Sequence, residues 1–267
     1  MSGDTKALRN RIKSVDSTLH LTKAMGLVAS SKIRRALDAM QKGRKYQEAM
    51  EDVIKTLASS AECAKSPYMA ERDSGRMKII VIAGDRGLAG GYNANVFRIA
   101  KQYEGAEFIP IGKRACERYG GEFYLAETFK TSDAIKLSDK LCSEFCDSEY
   151  DKLGIISTKY VSMMSQVAEI KWILPLSKDE GRKNVSVLFE PDEMTILNAA
   201  TKEYVAGAIM AEVRESFASE VAARRCAMDS AGKNAQQMID DLQLEYNRAR
   251  QGAITQELTE IVAGSNA

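Results

Sequence analysis

LRNRIKSVDSTLHLTKAMGLVASSKIRRALDAM, residues 8–40, carries apolar or small side chains at Leu8, Ile12, Val15, Leu19, Thr22, Met25, Ala29, Ile33, Ala36 and Met40. Steps of three and four put these on one face, the packing seam of a long α-helix. No proline interrupts the run and only Gly26 and Gly43 lie inside it, so the helix is predicted to continue to about Ala58. A second seam occupies the other end of the chain: Val205, Ile209, Val213, Phe217 and Val221, then Ala231, Ala235, Met238, Leu242, Tyr246, Ala249 and Ala253. Pro191 opens that segment, and Asp192 and Glu193 suit the positive start of a helix. A helix of about 70 residues spans roughly 100 Å at ~1.5 Å per residue, more than one globular core can cover.

Composition sorts the chain in the same way. All four prolines (Pro67, Pro110, Pro175 and Pro191) and eleven of the eighteen glycines lie between residues 67 and 191. Residues 1–66 hold 13 basic and 7 acidic side chains (+6), 67–191 hold 18 of each, and 192–267 hold 7 and 12 (−5). Two proline-free ends of opposite charge pair most simply as an antiparallel coiled coil; an ordinary helical bundle is the competing reading. Small residues on or beside the seams (Ala24, Ala29, Ala36, Ala231, Ala235, Ala249, Ala253) favour close helix approach over a thick apolar core. The expected domains are an N-terminal coiled-coil helix (1–66), an α/β domain (67–191) and a C-terminal coiled-coil helix (192–267).

The middle alternates strand and helix. KIIVIA, residues 78–83, is a nearly continuous apolar run ended by glycine, as a buried parallel strand requires. Further strands are expected at 107–111, 122–126, 152–157 and 167–174, with helices at 94–103, 113–119 and 132–146, giving an α/β domain with a largely parallel sheet.

Candidate chemistry is sparse. The loop GDRGLAGGYN (84–93) follows the first strand, where a doubly wound fold would hold a phosphate. It lacks G-x-G-x-x-G, and Tyr92 and Asn93 stand where a phosphate-binding loop needs Lys and Ser or Thr. A tight strand-to-helix turn, with Asn93 as helix cap and Asp85 and Arg86 paired locally, is the preferred reading. With His20 the sole histidine, neither a nucleophilic triad nor a His-ligated zinc is expected. Cys142 and Cys146, four apart on one helix face, read as packing thiols, and five cysteines without a signal segment indicate a reducing compartment. No window approaches eighteen apolar residues, so membrane association is expected through a partner. The basic run Lys32, Arg34, Arg35, Lys42, Arg44, Lys45 has no interleaved aromatics, favouring a solvated face or an acidic protein over nucleic acid. No catalytic, cofactor or metal residues are assigned.

RIKSVDSTLHLTKAMGLVASSKIRRA, GDRGLAGGYNANVF, STKYVSMMSQV with ILPL, and NAQQMIDDLQLEYNRARQGAITQELTEIVAG together resemble, in order, the gamma subunit of F-type ATP synthases across nearly the whole chain. The resemblance implies a noncatalytic rotor shaft: terminal helices coiled antiparallel, with a Rossmann-like α/β domain packed at the foot. It implies three alpha and three beta subunits around the shaft, with epsilon and a proton-driven c-ring at the foot, and no cofactor or nucleic acid. The place implied is peripheral, on the cytoplasmic face of a bacterial plasma membrane. Arg250 and Gln251 match family positions that hydrogen-bond beta-subunit loops, and Thr255, Glu257 and Thr259 match neighbouring contacts. Lys23, Met25, Lys32, Arg34 and Arg35 match the run facing an acidic segment of beta. Met25 is equally a seam residue, and Arg34 could instead pair with the acidic C-terminal helix. Gly232 and Lys233 stand where the family more often has Thr and an acidic residue. The linker SKDEGRKNVSV (177–187) is short, and Cys142 and Cys146 lie in no added regulatory loop. Two competing readings are a nucleotide-binding α/β enzyme using the glycine loop and a cytosolic coiled-coil adaptor.

Overall fold

The structure is a computed structural model that describes residues 3–177 and 189–265, so most of the 177–187 linker lies outside the described residues. The elements, in order, are α1 (Gly3–Ala58), β1 (Met77–Ile82), α2 (Tyr92–Ala100), β2 (Glu107–Ile111), α3 (Lys113–Tyr119), α4 (Thr131–Cys146), β3 (Lys152–Ser162), β4 (Ser165–Leu174) and α5 (Glu193–Ser265). The chain divides into two compact units, one of residues 1–31 with 224–267 and one of residues 32–223.

The larger unit is built on a four-stranded sheet in the order β2-β1-β3-β4. β1 pairs in parallel with β2 and β3, whereas β4 runs antiparallel to β3. The expected largely parallel sheet is therefore mixed, because only Met163 and Met164 separate β3 from β4 and so short a link can join only antiparallel strands. Alternate residues of β1 serve opposite faces. Ile79 and Val81 meet Val96 and Ala100 of α2 and Ala115 of α3. Ile80 and Ile82 join Leu137, Leu141 and Phe145 of α4, Ile54 and Leu57 of α1, and Leu197, Val205 and Ile209 of α5. A sheet covered on both faces explains why KIIVI reads as an unbroken apolar run.

The expected strand at 122–126 is absent. Gly120 and Gly121 adopt positive φ and turn the chain out of strand geometry. The backbone groups after them are taken elsewhere: Tyr124 O accepts from Gly112 N at 2.8 Å, and Ala126 N donates to the Asp85 carboxylate at 3.0 Å. Gly112 itself has φ 95°, and a Cβ there would lie 1.9 Å from Ala83 O.

In α1 the least exposed side chains recur at Thr5, Leu8, Ile12, Val15, Leu19, Thr22, Gly26, Ala29, Ile33, Ala36 and Met40, alternating steps of three and four. That 3.5-residue period is a coiled-coil repeat. In the smaller unit, α5 answers with Met228, Gly232, Ala235, Ile239 and Leu242. Gly26 faces Met228 and Gly232 faces Thr22, an antiparallel register. Within the larger unit, Gly43 faces Ala211 and Gly207 faces Tyr46, also antiparallel. The seam expected through Met238 passes through Ile239 instead, and Met238 is exposed, because the strict repeat continues from Ala235 by four.

Candidate functional site

The glycine loop after β1 is held shut by its own polar side chains. Gly84 N donates to Asn93 Oδ1 at 2.9 Å, so Asn93 lies within the first turn of α2 and braces the loop; Gly91, not Asn93, occupies the cap position. Asp85 does not pair with Arg86. Its carboxylate accepts the backbone N–H groups of Lys113, Ala126 and Glu127 at 3.1, 3.0 and 2.8 Å, and Arg86 reaches Glu127 at 3.6 Å. Three N–H donors satisfy an otherwise desolvated carboxylate better than one exposed guanidinium. From α5, Glu220 covers the loop so closely that a Cβ on Gly84 would lie 2.8 Å from Glu220 Cδ. A phosphate would have to displace a buried carboxylate of like charge, which removes the loop as a nucleotide cradle.

Cys142 and Cys146 share α4 but not an environment. Cys142 is buried, its thiol pushed up to about 11 chiefly by desolvation, and Cys146 is exposed. A buried thiol of raised pKa is poorly reactive, in keeping with a packing role.

In the larger unit, Ile33, Ala36 and Met40 are buried on the seam, which turns Arg34 and Arg35 outward. Both are exposed and form no ion pair with any described residue, whereas the half-buried Lys32 pairs with Glu127. Arg34 thus does not pair with α5.

In the smaller unit, Lys23 is exposed and Met25 is half-buried beside the seam, which runs through Gly26. Lys23 lines a groove of about 550 Å³ between the helices, with Leu19, Gly26, Leu27, Arg225, Met228 and Gly232. Gly26, set against Met228, and Gly232, set against Thr22, add no side chains to that space. Arg225 donates to Ser30 Oγ, and Lys233 pairs with Asp229 one turn back at 2.8 Å. A Cβ at Gly232 would meet Thr22 Oγ1 at 3.6 Å and Leu19 at 3.9 Å, ordinary contacts, so close packing does not demand glycine there.

Arg250 and Gln251 are exposed near the end of α5. Thr255 and Thr259 are exposed with their hydroxyls donating to the carbonyls of Gln251 and Thr255, at 3.0 and 2.8 Å. The Glu257 side chain lies outside the described residues. The register that sets Gly26 against Met228, continued to the start of α1 at Gly3, ends opposite Gln251. Among the described residues none of α1 continues that register past Gln251, and Ile254 (48%), Leu258 (58%), Ile261 (67%) and Val262 (58%) are exposed. The apolar residues of AITQELTEIVAGSNA were legible as the end of the shaft, whereas sequence reading passed over the exposed Leu21, Leu27 and Val28 of α1. Their signal is present in the sequence: each is apolar and off the seam. Among the described residues no helix is long and apolar enough to cross a membrane.

A protein-family model described as ATP synthase matches residues 4–267. The chain is 37% identical to an ATP synthase gamma chain of Ruminococcus albus over 278 aligned positions, which cover 97% of each chain. Among solved structures it resembles a chain of the Euglena gracilis mitochondrial ATP synthase, with a TM-score of 0.69 and 18% identity, covering 99% of this chain and 94% of that one. A chain from the central stalk and c-ring structure of the Tetrahymena thermophila mitochondrial ATP synthase gives 0.63 and 20%, covering 79% and 99%. At those identities the likeness is one of fold.

Proposed function

Because the chain belongs to the ATP synthase gamma-chain family, we propose that it is the noncatalytic central shaft of a rotary ATP synthase, coupling c-ring rotation to ATP synthesis on the beta subunits. In this reading residues 1–66 and 192–267 are the two strands of the shaft and 67–191 its foot. The shaft turns inside three alpha and three beta subunits. Its foot rides with epsilon on a proton-driven c-ring, at the cytoplasmic face of a bacterial plasma membrane.

One observation carries the reading: the last turns of α5 leave the large apolar side chains of Ile254, Leu258, Ile261 and Val262 uncovered. Such a surface in water marks a contact with another chain. A sleeve of chemically identical subunits can accept it because apolar contacts are non-directional and let the helix turn. The same shaft is asymmetric, so at each angle it touches the three beta subunits differently. Only such differential contact can bias three identical sites toward different states.

Arg250 and Gln251 sit where the paired stretch ends and supply directional bonds; the guanidinium fork suits a carboxylate or carbonyls on beta-subunit loops. Thr255, Glu257 and Thr259 extend that contact along α5. Lys23, Met25, Lys32, Arg34 and Arg35 form a largely basic stretch of α1 fitted to an acidic beta segment. The test is assembly: the purified chain, mixed with alpha and beta subunits, is expected to yield an ATPase while hydrolysing nothing alone. A chain that never associates with them, or that binds nucleotide at the glycine loop, ends the proposal.

A further inference from the structure

β3 is longer than its neighbour β1, whose pairing with it stops at Val81 against Ile156. From Ser157 onward, β4 supplies one edge of β3 and, among the described residues, no strand supplies the other. Two backbone rungs on that open edge are nevertheless filled. Thr158 N donates to Ser216 Oγ at 3.1 Å, and Thr158 O accepts from Ser219 Oγ at 2.9 Å. One rung on, Tyr160 N donates to Glu215 Oε1 at 3.0 Å, and Tyr160 O accepts from Arg44 Nη2 at 2.9 Å. Arg44 also grips Glu215 through Nε and Nη2, at 3.0 and 2.5 Å. Ser157 Oγ adds a bond to Glu212 at 2.6 Å.

Glu212, Glu215, Ser216 and Ser219 are spaced i, i+3, i+4 and i+7, one face of α5. That face stands in for the missing strand, with side chains providing the donors and acceptors that a backbone would. Thr158, Ser216 and Ser219 are at most 2% exposed, so these bonds form away from competing water. Apolar burial is non-directional and holds elements together by close packing, and hydrogen bonds add a directional restraint on register and angle.

We propose that this side-chain ladder, with Arg44 as its fork, is the joint that makes the α/β sheet and the long helices turn as one body. The proposal rests on the shaft function above and names the residues that would carry torque across it. Arg44, Glu215, Ser216 and Ser219 are positioning residues: they touch no nucleotide and act through the angle they hold.

The experiment uses the complete ATP synthase assembled around this chain, immobilised for the angular readout and reconstituted in sealed vesicles for the pumping readout. A probe is fixed to the β3–β4 hairpin through Met164→Cys, the other exposed or half-exposed cysteines being replaced, and the alpha and beta subunits are immobilised. Ser216→Ala with Ser219→Ala strips both Thr158 bonds and is expected to make the probe's angular spread about twofold wider. ATP-driven proton pumping is expected to fall while ATP hydrolysis stays near the parent rate. Leu141→Ala, which weakens the same unit's core away from the ladder, is expected to lower thermal stability and leave the spread unchanged. If Leu141→Ala widens it equally, the ladder is ordinary packing and the proposal fails. Should the double variant not assemble, Arg44→Lys is read the same way, since it keeps the charge beside Glu215 but loses the fork. A parent chain that does not assemble overturns the shaft function. A parent that assembles and pumps, matched in spread and pumping by its variants, overturns the ladder alone.

Discussion

The two compact units bury their side chains in opposite styles. Residues 32–223 enclose a sheet between helices, with aromatics stacked in the interior: Phe145 lies 5.3 Å from Tyr150 and 6.2 Å from Tyr68, ring to ring, with Arg72 over its face. Residues 3–31 with 224–265 have a seam one residue wide, of Leu19, Ala235 and Ile239 flanked by Ile12 and Val15, with leucines and isoleucines left outside. The first arrangement stores stability. The second leaves apolar surface unspent, which a free chain gains nothing from and a surrounding sleeve can use.

The contrast is tested most severely in the thick core. Phe145→Ala removes a fully buried ring that three aromatic or cationic partners touch, and is expected to destabilise the chain by about 3–5 kcal/mol in urea unfolding. Leu19→Ala, in the thin seam, should fall near the lower end of the roughly 2–5 kcal/mol range for such truncations, because the two helices can close over the gap. Equal losses at both sites would mean that the seam is packed as tightly as the sheet.

The next effect has the opposite sign. Gly232→Ala places a methyl at ordinary contact distance from Thr22 and Leu19 and gives a helix interior a better helix former. It is expected to stabilise by up to about 1 kcal/mol, read as a rise in Tm. A fall would show that Gly232 is needed for close approach to Thr22 and Leu19 and would undo the description of the groove as open.

The sequence made the regular parts legible for a physical reason: a period of 3.5 or an unbroken apolar run reports burial directly. The long helices, β1 and β2 carry that signature. What escaped depends on polar groups that find partners far away in the chain. Asp85 sits 41 residues from Ala126, so nothing local says that it will draw that segment out of the sheet. Glu212, Glu215, Ser216 and Ser219 keep helical spacing as strictly as the apolar seam beside them, but a polar stripe reads as solvated surface until a strand edge is seen against it. The direction of β4 escaped because the strands expected at 152–157 and 167–174 leave nine residues between them, and only their growth to Ser162 and from Ser165 shortens the link to Met163 and Met164. Of the ten candidate contact residues nine have described side chains, seven exposed and two, Met25 and Lys32, half-buried beside the seam.

A smaller effect, visible only as a slope, comes from Glu212. Burial raises its carboxyl above the ordinary value of 4.5, with Ser157 and Lys171 opposing and Glu215 and Glu169 adding to the rise. A carboxyl raised in the folded state favours the protonated form there. Its contribution to stability is full below pH ~4.5 and is lost as pH climbs through the folded value. Glu212→Gln keeps an acceptor for Ser157 without the charge, so its Tm relative to the parent is expected to climb as pH rises from 4.5. A flat difference would mean that Lys171 already neutralises the site.

The smallest effect on the chain itself, and the most telling for the comparison, belongs to Arg250. It is exposed and forms no ion pair with a described residue. Removing it takes away nothing that folding uses, so Arg250→Ala is expected to leave the Tm of the isolated chain where it was. In the assembled enzyme the same change should lower turnover, with rescue by neither salt nor Arg250→Lys, because a planar fork and not charge alone is what the position offers. A residue that matters only in the complex is what an unspent surface predicts. If Arg250→Ala left turnover intact, the end of α5 would be held by its apolar side chains alone. Ile254 and Leu258 would then become the residues whose loss stalls the motor.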